Sequence, residues 1–122
     1  MSSSKPVKWT YHRLYVFAKT ALIKIFVLPY ATVCDLYCGN GEDMDKWDEA
    51  QIGHYIGIGK FESLLREKSV PADIVCCLQH LQLCFETEER ARSLLCNVSA
   101  ILRLGGYFFG ITPDSSTIWY EI

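Results

Sequence analysis

A short apolar segment that breaks at two glycines and then turns acidic constrains the fold of this chain more than any other feature. It covers residues 33–43 and has the sequence Val-Cys-Asp-Leu-Tyr-Cys-Gly-Asn-Gly-Glu-Asp. Gly39 and Gly41 can adopt backbone angles closed to other residues and let a ligand approach the main chain, while a helix start behind them would offer unpaired N–H groups. The segment therefore predicts a β-strand that leads into a nucleotide-type pocket.

This glycine loop lacks the third glycine of the dinucleotide fingerprint G-x-G-x-x-G. Asp43 would repel a pyrophosphate, so a ligand with an ammonium group fits better, and the methionine end of S-adenosylmethionine carries one. A tight turn after a strand produces the same short pattern. The motif by itself therefore leaves a purely structural interpretation open.

The rest of the chain alternates between strand and helix patterns, which predicts an α/β fold with a parallel sheet. Strands are predicted over residues 32–37, 54–58, 73–78 and 107–111, and helices over 15–30, 43–50, 60–68 and 86–104. Thr87 is the expected N-cap of the last helix and Gly105 its end. The first helix should bury one apolar stripe: Leu14, Phe17, Ala18, Ala21, Leu22, Ile25 and Phe26.

Ligands of open parallel sheets bind beyond the carboxyl ends of the strands. The candidate site therefore combines the glycine loop with Gly59 and Lys60 after the second strand, residues 79–82 after the third, and residues 112–115 after the fourth. The fourth strand has a continuous apolar run, which suits burial on both faces and makes Tyr107 an expected core residue.

Composition sets wider bounds on the chain. With 122 residues, half of them apolar, it should form one globular domain over residues 11–122 behind a polar tail over residues 1–10. All 14 acids lie from Asp35 onward, whereas five cations precede it. This polarity fits either a phosphate-bearing partner or a solvated basic helix face. The polar start lacks a secretory signal, and the apolar stretch over residues 15–30 is too short to span a bilayer, so an intracellular protein is expected.

Six cysteines raise the question of disulfides or zinc. Most lie in apolar segments, where reduced cysteine behaves as a small buried hydrophobe: Cys34, Cys38, Cys76, Cys77 and Cys96. The one spacing that suggests zinc combines Cys76 and Cys77 with His80 and Cys84. Neighbouring residues of a strand point to opposite faces, so Cys76 and Cys77 cannot bind one ion without distortion. No metal is expected.

Two segments together resemble the messenger-RNA cap guanine-N7 methyltransferases. They are Cys-Asp-Leu-Tyr-Cys-Gly-Asn-Gly-Glu-Asp-Met-Asp-Lys-Trp over residues 34–47 and Gly-Gly-Tyr-Phe-Phe-Gly-Ile-Thr-Pro-Asp-Ser over residues 105–115. Phe-Ala-Lys over residues 17–19 agrees as well. The chain looks similar to a divergent plant-type member that is shortened internally and at its C-terminus. The implied fold is a truncated Rossmann-like S-adenosylmethionine-dependent methyltransferase with about four parallel strands and helices on both faces.

The resemblance implies a site and a reaction. The cofactor S-adenosylmethionine would contact Lys19, Gly39, Gly41, Asp43, Gly59, Leu78 and Gln79, and the substrate would contact Gln82, Thr112, Pro113, Asp114 and Ser115. The reaction would be methyl transfer to N7 of the guanine in capped RNA, in the nucleus and without a catalytic acid or base. Some positions depart from the family pattern: Tyr37 replaces a glycine, Asn40 a lysine, Gly59 an acidic residue that binds the ribose, and Gln82-Leu83 a His-Tyr pair.

The shortening leaves a second hypothesis open. Only 14 residues separate Gly59 from Ile74, so the helix, strand and adenine-contacting acid that family members place there are expected to be missing. Outer strands would then expose unpaired backbone groups. The chain could accordingly be an inactive shortened form that acts as an interaction module, with a protein partner or a second copy on its exposed sheet edges.

Overall fold

The computed structural model describes residues 4–37, 41–59 and 71–112. The described strands form one parallel sheet in the order β2-β1-β3-β4. These strands are β1 (Thr32–Leu36), β2 (His54–Ile58), β3 (Ala72–Cys77) and β4 (Leu102–Gly110). The helices are α1 (Ser4–Phe26), α2 (Met44–Glu49) and α3 (Glu88–Ile101), with a 3-10 helix at Leu81–Phe85 that the sequence did not predict.

The sheet has a buried core on each face, as the alternation of side chains along a strand requires. Val33, Ile74 and Cys76 pack on the face that also buries Trp47 of α2 and Ile23 of α1. The opposite face is covered by α3, where the buried residues include Cys34, Leu36, Val75, Cys77, Leu94 and Val98. The predicted parallel α/β fold with helices on both faces is therefore confirmed. Cys76 and Cys77 do lie on opposite faces.

Helix α1 is longer than predicted, and part of its predicted apolar stripe faces solvent. The helix begins at Ser4, inside the segment predicted as a tail. Leu14, Phe17 and Ile25 are between 59% and 71% exposed, whereas Lys19 and Ile23 are buried. The amphipathic pattern identified a helix, and its buried face carries Lys19 and Ile23. No helix within the described ranges is long and apolar enough to cross a membrane.

Helix α3 starts as predicted but ends early. The Thr87 hydroxyl accepts a hydrogen bond from the Arg90 backbone N–H at 3.1 Å, which confirms the N-cap. The helix stops at Ile101 and passes directly into β4, so Gly105 does not terminate it. Instead Gly105 lies within β4 at a φ of +84°, a backbone conformation that favours glycine.

Three residues expected in apolar surroundings are exposed. Tyr107 is 52% exposed, because β4 is an edge strand among the described residues. Leu95 is half exposed, since it lies at the border of the α3 face that packs on the sheet. Cys96, the next residue, is exposed as well. The helix predicted over residues 60–68 and the predicted apolar position of Cys38 lie outside the described residues.

Candidate functional site

The parallel register brings the ends of all four strands to one edge of the sheet. Leu36 of β1 pairs with Ile58 of β2 and with Cys77 of β3, and Cys77 pairs with Gly110 of β4. The residues that follow these strands therefore lie at one level. This carboxyl edge contains the predicted Gly59, Leu78 and Gln79.

The described part of the glycine loop has the predicted turn, but three backbone N–H groups at the start of α2 are not free to bind a ligand. Gly41 has a φ of +79°, and a side chain there would crowd Met44. The amide of Met44 donates to the Gly41 carbonyl, and those of Lys46 and Trp47 donate to the Asp43 carbonyl. The expectation that the helix start offers these N–H groups to a ligand is therefore wrong for these three. Gly39 and Asn40 lie outside the described residues.

Asp43 forms a buried ion pair that joins the loop to α1. Its Oδ1 lies 2.8 Å from Lys19 Nζ and 3.1 Å from Lys46 Nζ. The side chains of Lys19 and Asp43 are each only 6% exposed. Asp43 occupies the N-cap position of α2, yet its carboxylate makes no capping bond. Its Oδ1 is therefore shared by the two lysine ammonium groups.

The end of β3 is joined to both the loop and α1. Gln79 Nε2 donates to Glu42 Oε2 at 2.9 Å, which links the residue after β3 to the glycine loop. The Tyr15 hydroxyl donates to the Leu78 carbonyl. One helical turn later, Lys19 Nζ lies 4.4 Å from the centroid of the Tyr15 ring.

Tyr15 contacts the candidate site but was not predicted, whereas Glu42 lay inside the predicted loop without being singled out. A signal for Tyr15 was present, because residues four apart on a helix share one face and Lys19 was already a candidate. Glu42 gave no signal beyond its place beside Asp43.

Asp35 is a buried carboxylate in β1, beneath the site. Its Oδ2 accepts a hydrogen bond from the Tyr55 hydroxyl at 2.8 Å, and its Oδ1 lies 3.7 Å from Cys76 Sγ. Burial raises the pKa of the Asp35 carboxyl from 3.8 to about 6, and the bond from Tyr55 opposes that rise. Burial also raises the pKa of the thiol of Cys77, the last residue of β3, to about 12. Cys77 is therefore a poor nucleophile at neutral pH.

Two departures from the family pattern have visible structural consequences. Tyr37 leaves β1 at a φ of +55°, a conformation that favours glycine, so the tyrosine is held there at a steric cost. Its ring packs against the α3-side core and edge-on to the His80 ring at 6.0 Å. Gly59 is exposed, and a Cβ added there would meet no atom within 4 Å. An acidic side chain at Gly59 would therefore fit.

The predicted substrate residues are only partly described. Gln82 is exposed on the 3-10 helix, and Thr112 is exposed two residues beyond β4. These segments adjoin, because a Cβ on Gly110 would lie 2.8 Å from Leu81 and 2.7 Å from the Cys77 carbonyl oxygen. Pro113, Asp114 and Ser115 lie outside the described residues.

Two cavities in the described structure lie away from the predicted site. One of about 260 Å³ is lined by Phe26, Asp73 and Tyr107, and another of about 420 Å³ lies between α1 and α2. Neither is lined by Lys19, Asp43 or Leu78.

The architecture defines a class of protein. A parallel sheet in this order, with helices on both faces and a glycine loop after β1, is a truncated Rossmann-like methyltransferase fold of the α/β class.

The family follows from comparison with known proteins. The mRNA (guanine-N(7))-methyltransferase domain matches residues 59–122, more than half of the chain, and this chain belongs to that family. It is 55% identical to mRNA cap guanine-N(7) methyltransferase 2 of Oryza sativa subsp. japonica, over 89% of this chain and 42% of the relative. Identity is 51% to the Arabidopsis thaliana protein of the same name, over 95% of this chain and 41% of that relative. The Saccharomyces cerevisiae mRNA cap guanine-N(7) methyltransferase is 31% identical, over 85% of this chain and 32% of that relative.

The predicted family and its plant type are confirmed by these matches. The chain spans about two fifths of the length of its two plant relatives. The rice alignment runs over 141 residues, more than the 122 of this chain, so the relative has internal residues that this chain lacks. This supports the predicted internal shortening.

Proposed function

We propose that this chain is a cap methyltransferase domain that binds S-adenosylmethionine at its carboxyl edge and methylates N7 of the cap guanine of RNA. The observation that carries the proposal is the joining of three segments at this edge. The Lys19–Asp43 ion pair ties α1 to the glycine loop, and the Glu42–Gln79 bond ties the loop to the end of β3. The reaction is inferred from the family, and the side chains at the carboxyl edge suit the methyl donor of that reaction.

The residues present fit the amino-acid part of that donor. Lys19 offers a cation for a carboxylate, and Asp43 and the Leu78 carbonyl offer acceptors for an ammonium group. Gly41, together with the proposed Gly39, allows close approach to the main chain. Gln79 would complete the set at the end of β3.

The fit to the ribose is weaker. Gly59 has no acceptor to offer the two hydroxyls, so a charge-assisted pair of hydrogen bonds is missing. We therefore expect the chain to bind the nucleoside part of the ligand less tightly than a chain with an acid at this position.

When bound, the donor supplies a methyl group already activated by its sulfonium. The chain needs no general base, since guanine N7 already has a lone pair. Its residues position the two reactants and exclude water. Exposed Gln82 and Thr112, with Pro113, Asp114 and Ser115, are the proposed contacts to capped RNA. Action on a messenger-RNA precursor would place the protein in the nucleus.

The test measures methyl transfer from radiolabelled S-adenosylmethionine to capped RNA by the purified chain. Asp43→Asn should lower the rate at least tenfold, with circular dichroism confirming that the variant is folded. Asp45→Asn is the matched control, because it makes the same change at an exposed residue two positions away. No transfer by the unaltered chain at high concentration would contradict the proposal.

Exposed apolar surface favours a second candidate, an inactive shortened form that acts as an interaction module. Leu104 and Tyr107 are exposed on β4, and no described strand pairs with the outer edge of β4. A protein partner or a second copy could bind there. Calorimetry with S-adenosylhomocysteine separates the candidates, since micromolar binding supports the enzyme and contradicts a module that has lost its ligand.

A further inference from the structure

Tyr15 connects α1 to the main chain at the point where an ammonium-bearing ligand would bind. Its hydroxyl donates a hydrogen bond to the carbonyl of Leu78, the first residue after β3. The ring is held in place by Lys19, which lies above it and is itself fixed by Asp43. The Tyr15 hydroxyl is therefore part of the same contact network as the proposed cofactor residues.

Acidic side chains near this hydroxyl affect its ionisation. Burial and the nearby negative groups raise the pKa of Tyr15 to about 12. The carboxylates among those groups are Asp43, Glu42 and Asp35, in decreasing order of effect. The tyrosine stays protonated and donates one neutral hydrogen bond. An ammonium group in the same place would form a charge-assisted bond to Leu78 and would be attracted by the carboxylates.

We propose that Tyr15 is an affinity-determining residue of the cofactor site, because its hydroxyl occupies the Leu78 carbonyl that the ammonium group of the ligand would take. Binding then exchanges one donor for the other, and the energy of the Tyr15 bond is subtracted from the binding energy of the ligand. The inference rests on the proposed function, since it concerns the same ligand. It adds that the chain carries an internal competitor for the amino-acid part.

The test compares two ligands in calorimetry. S-adenosylhomocysteine carries the amino-acid part, and methylthioadenosine carries the nucleoside part without it. Tyr15→Phe keeps the ring over Lys19 and removes the competing hydroxyl. S-adenosylhomocysteine should bind this variant about 3- to 10-fold more tightly, the range set by one neutral hydrogen bond, whereas methylthioadenosine affinity should not change. Tyr30→Phe, at a tyrosine that is 85% exposed, is the matched control and should change neither affinity.

The possible results separate this inference from the proposed function. Unchanged or weaker S-adenosylhomocysteine binding by Tyr15→Phe would overturn the inference and leave the proposed function standing, because a carbonyl can accept two hydrogen bonds. Equal changes for both ligands would assign Tyr15 a packing role and also overturn it. If neither the unaltered chain nor the variant binds S-adenosylhomocysteine, the proposed function fails and the inference fails with it. Thermal unfolding of each variant without ligand checks that the fold is retained.

Discussion

The Lys19–Asp43 ion pair should stabilise the fold through strong coupling between its two members. Removing one member of a buried pair leaves the other charge uncompensated, which costs about 3 to 5 kcal/mol. The loss of stability caused by Asp43→Asn should lie in this range, because Lys19 is buried and its ammonium group cannot reorient toward solvent. Lys19→Met should cost less, about 1 to 3 kcal/mol, since Lys46 remains 3.1 Å from Asp43.

The double variant is the informative one. Lys19→Met with Asp43→Asn removes both charges, so we expect it to cost about 1 to 2 kcal/mol, far less than the sum of the single changes. The coupling energy should therefore be at least about 2 kcal/mol. Urea unfolding at neutral pH measures each free energy of unfolding. A change from low to high salt should alter the coupling little, because the pair is shielded from solvent.

The Arg92–Glu88 pair on α3 is the matched control. Its N···O distance is 2.7 Å, slightly shorter than the Lys19–Asp43 distance, but its side chains are 78% and 77% exposed. An exposed helix pair contributes only about 0.3 to 0.5 kcal/mol, so the corresponding cycle should give a small coupling that salt weakens. Equal coupling in the two cycles, or additive costs at Lys19 and Asp43, would refute the argument from burial.

Three further predictions follow from other residues. The pKa of Asp35 is raised from 3.8 to about 6, so the stability due to its protonated form is complete below pH 3.8 and lost as the pH rises through 6. The free energy of unfolding of Asp35→Asn, measured in urea relative to the unaltered chain, should therefore rise by about 2 kcal/mol as the pH increases from about 4 to 7.5. A difference that does not change with pH would contradict this. Gly59→Asp should bind both S-adenosylhomocysteine and methylthioadenosine about tenfold more tightly in calorimetry, because hydrogen bonds to a charged group contribute about 1.5 to 3 kcal/mol. Gly59→Asn is the neutral control. An equal gain in affinity from Gly59→Asn would count against the role of charge. Thr87→Ala should cost about 1 kcal/mol by loss of the α3 cap, whereas Ser93→Ala on the exposed face should have little effect on the thermal midpoint.

Local patterns were sufficient for much of the fold. The strand at His54–Ile58 and the Thr87 cap were predicted at the observed residues, because strand alternation and capping depend on neighbours in sequence. The turn at Gly41, in the described part of the glycine loop, was also predicted from local pattern. The parallel topology also followed, since a strand–helix–strand order permits few arrangements.

The site itself was predicted unevenly. Asp43 was a candidate from its charge beside the glycine loop, and Lys19 only through family resemblance. Their ion pair could not be foreseen, because 24 positions separate them in the chain. Tyr15 was missed, although it makes the contact to Leu78. A hydrogen bond between a helix and a distant strand end leaves no periodic signal in the sequence.

The sequence by itself was enough to predict the order of strands and helices along the chain, the position of the glycine loop at the carboxyl edge, and the family. These features depend on short-range patterns and motifs. The orientation of α1 was decided by tertiary contacts. Leu14, Phe17 and Ile25 of its predicted apolar stripe are exposed. The buried face instead carries Ile23 and the Lys19–Asp43 ion pair. Burial of a charge depends on finding a partner in space, and that partner is set by the folded arrangement.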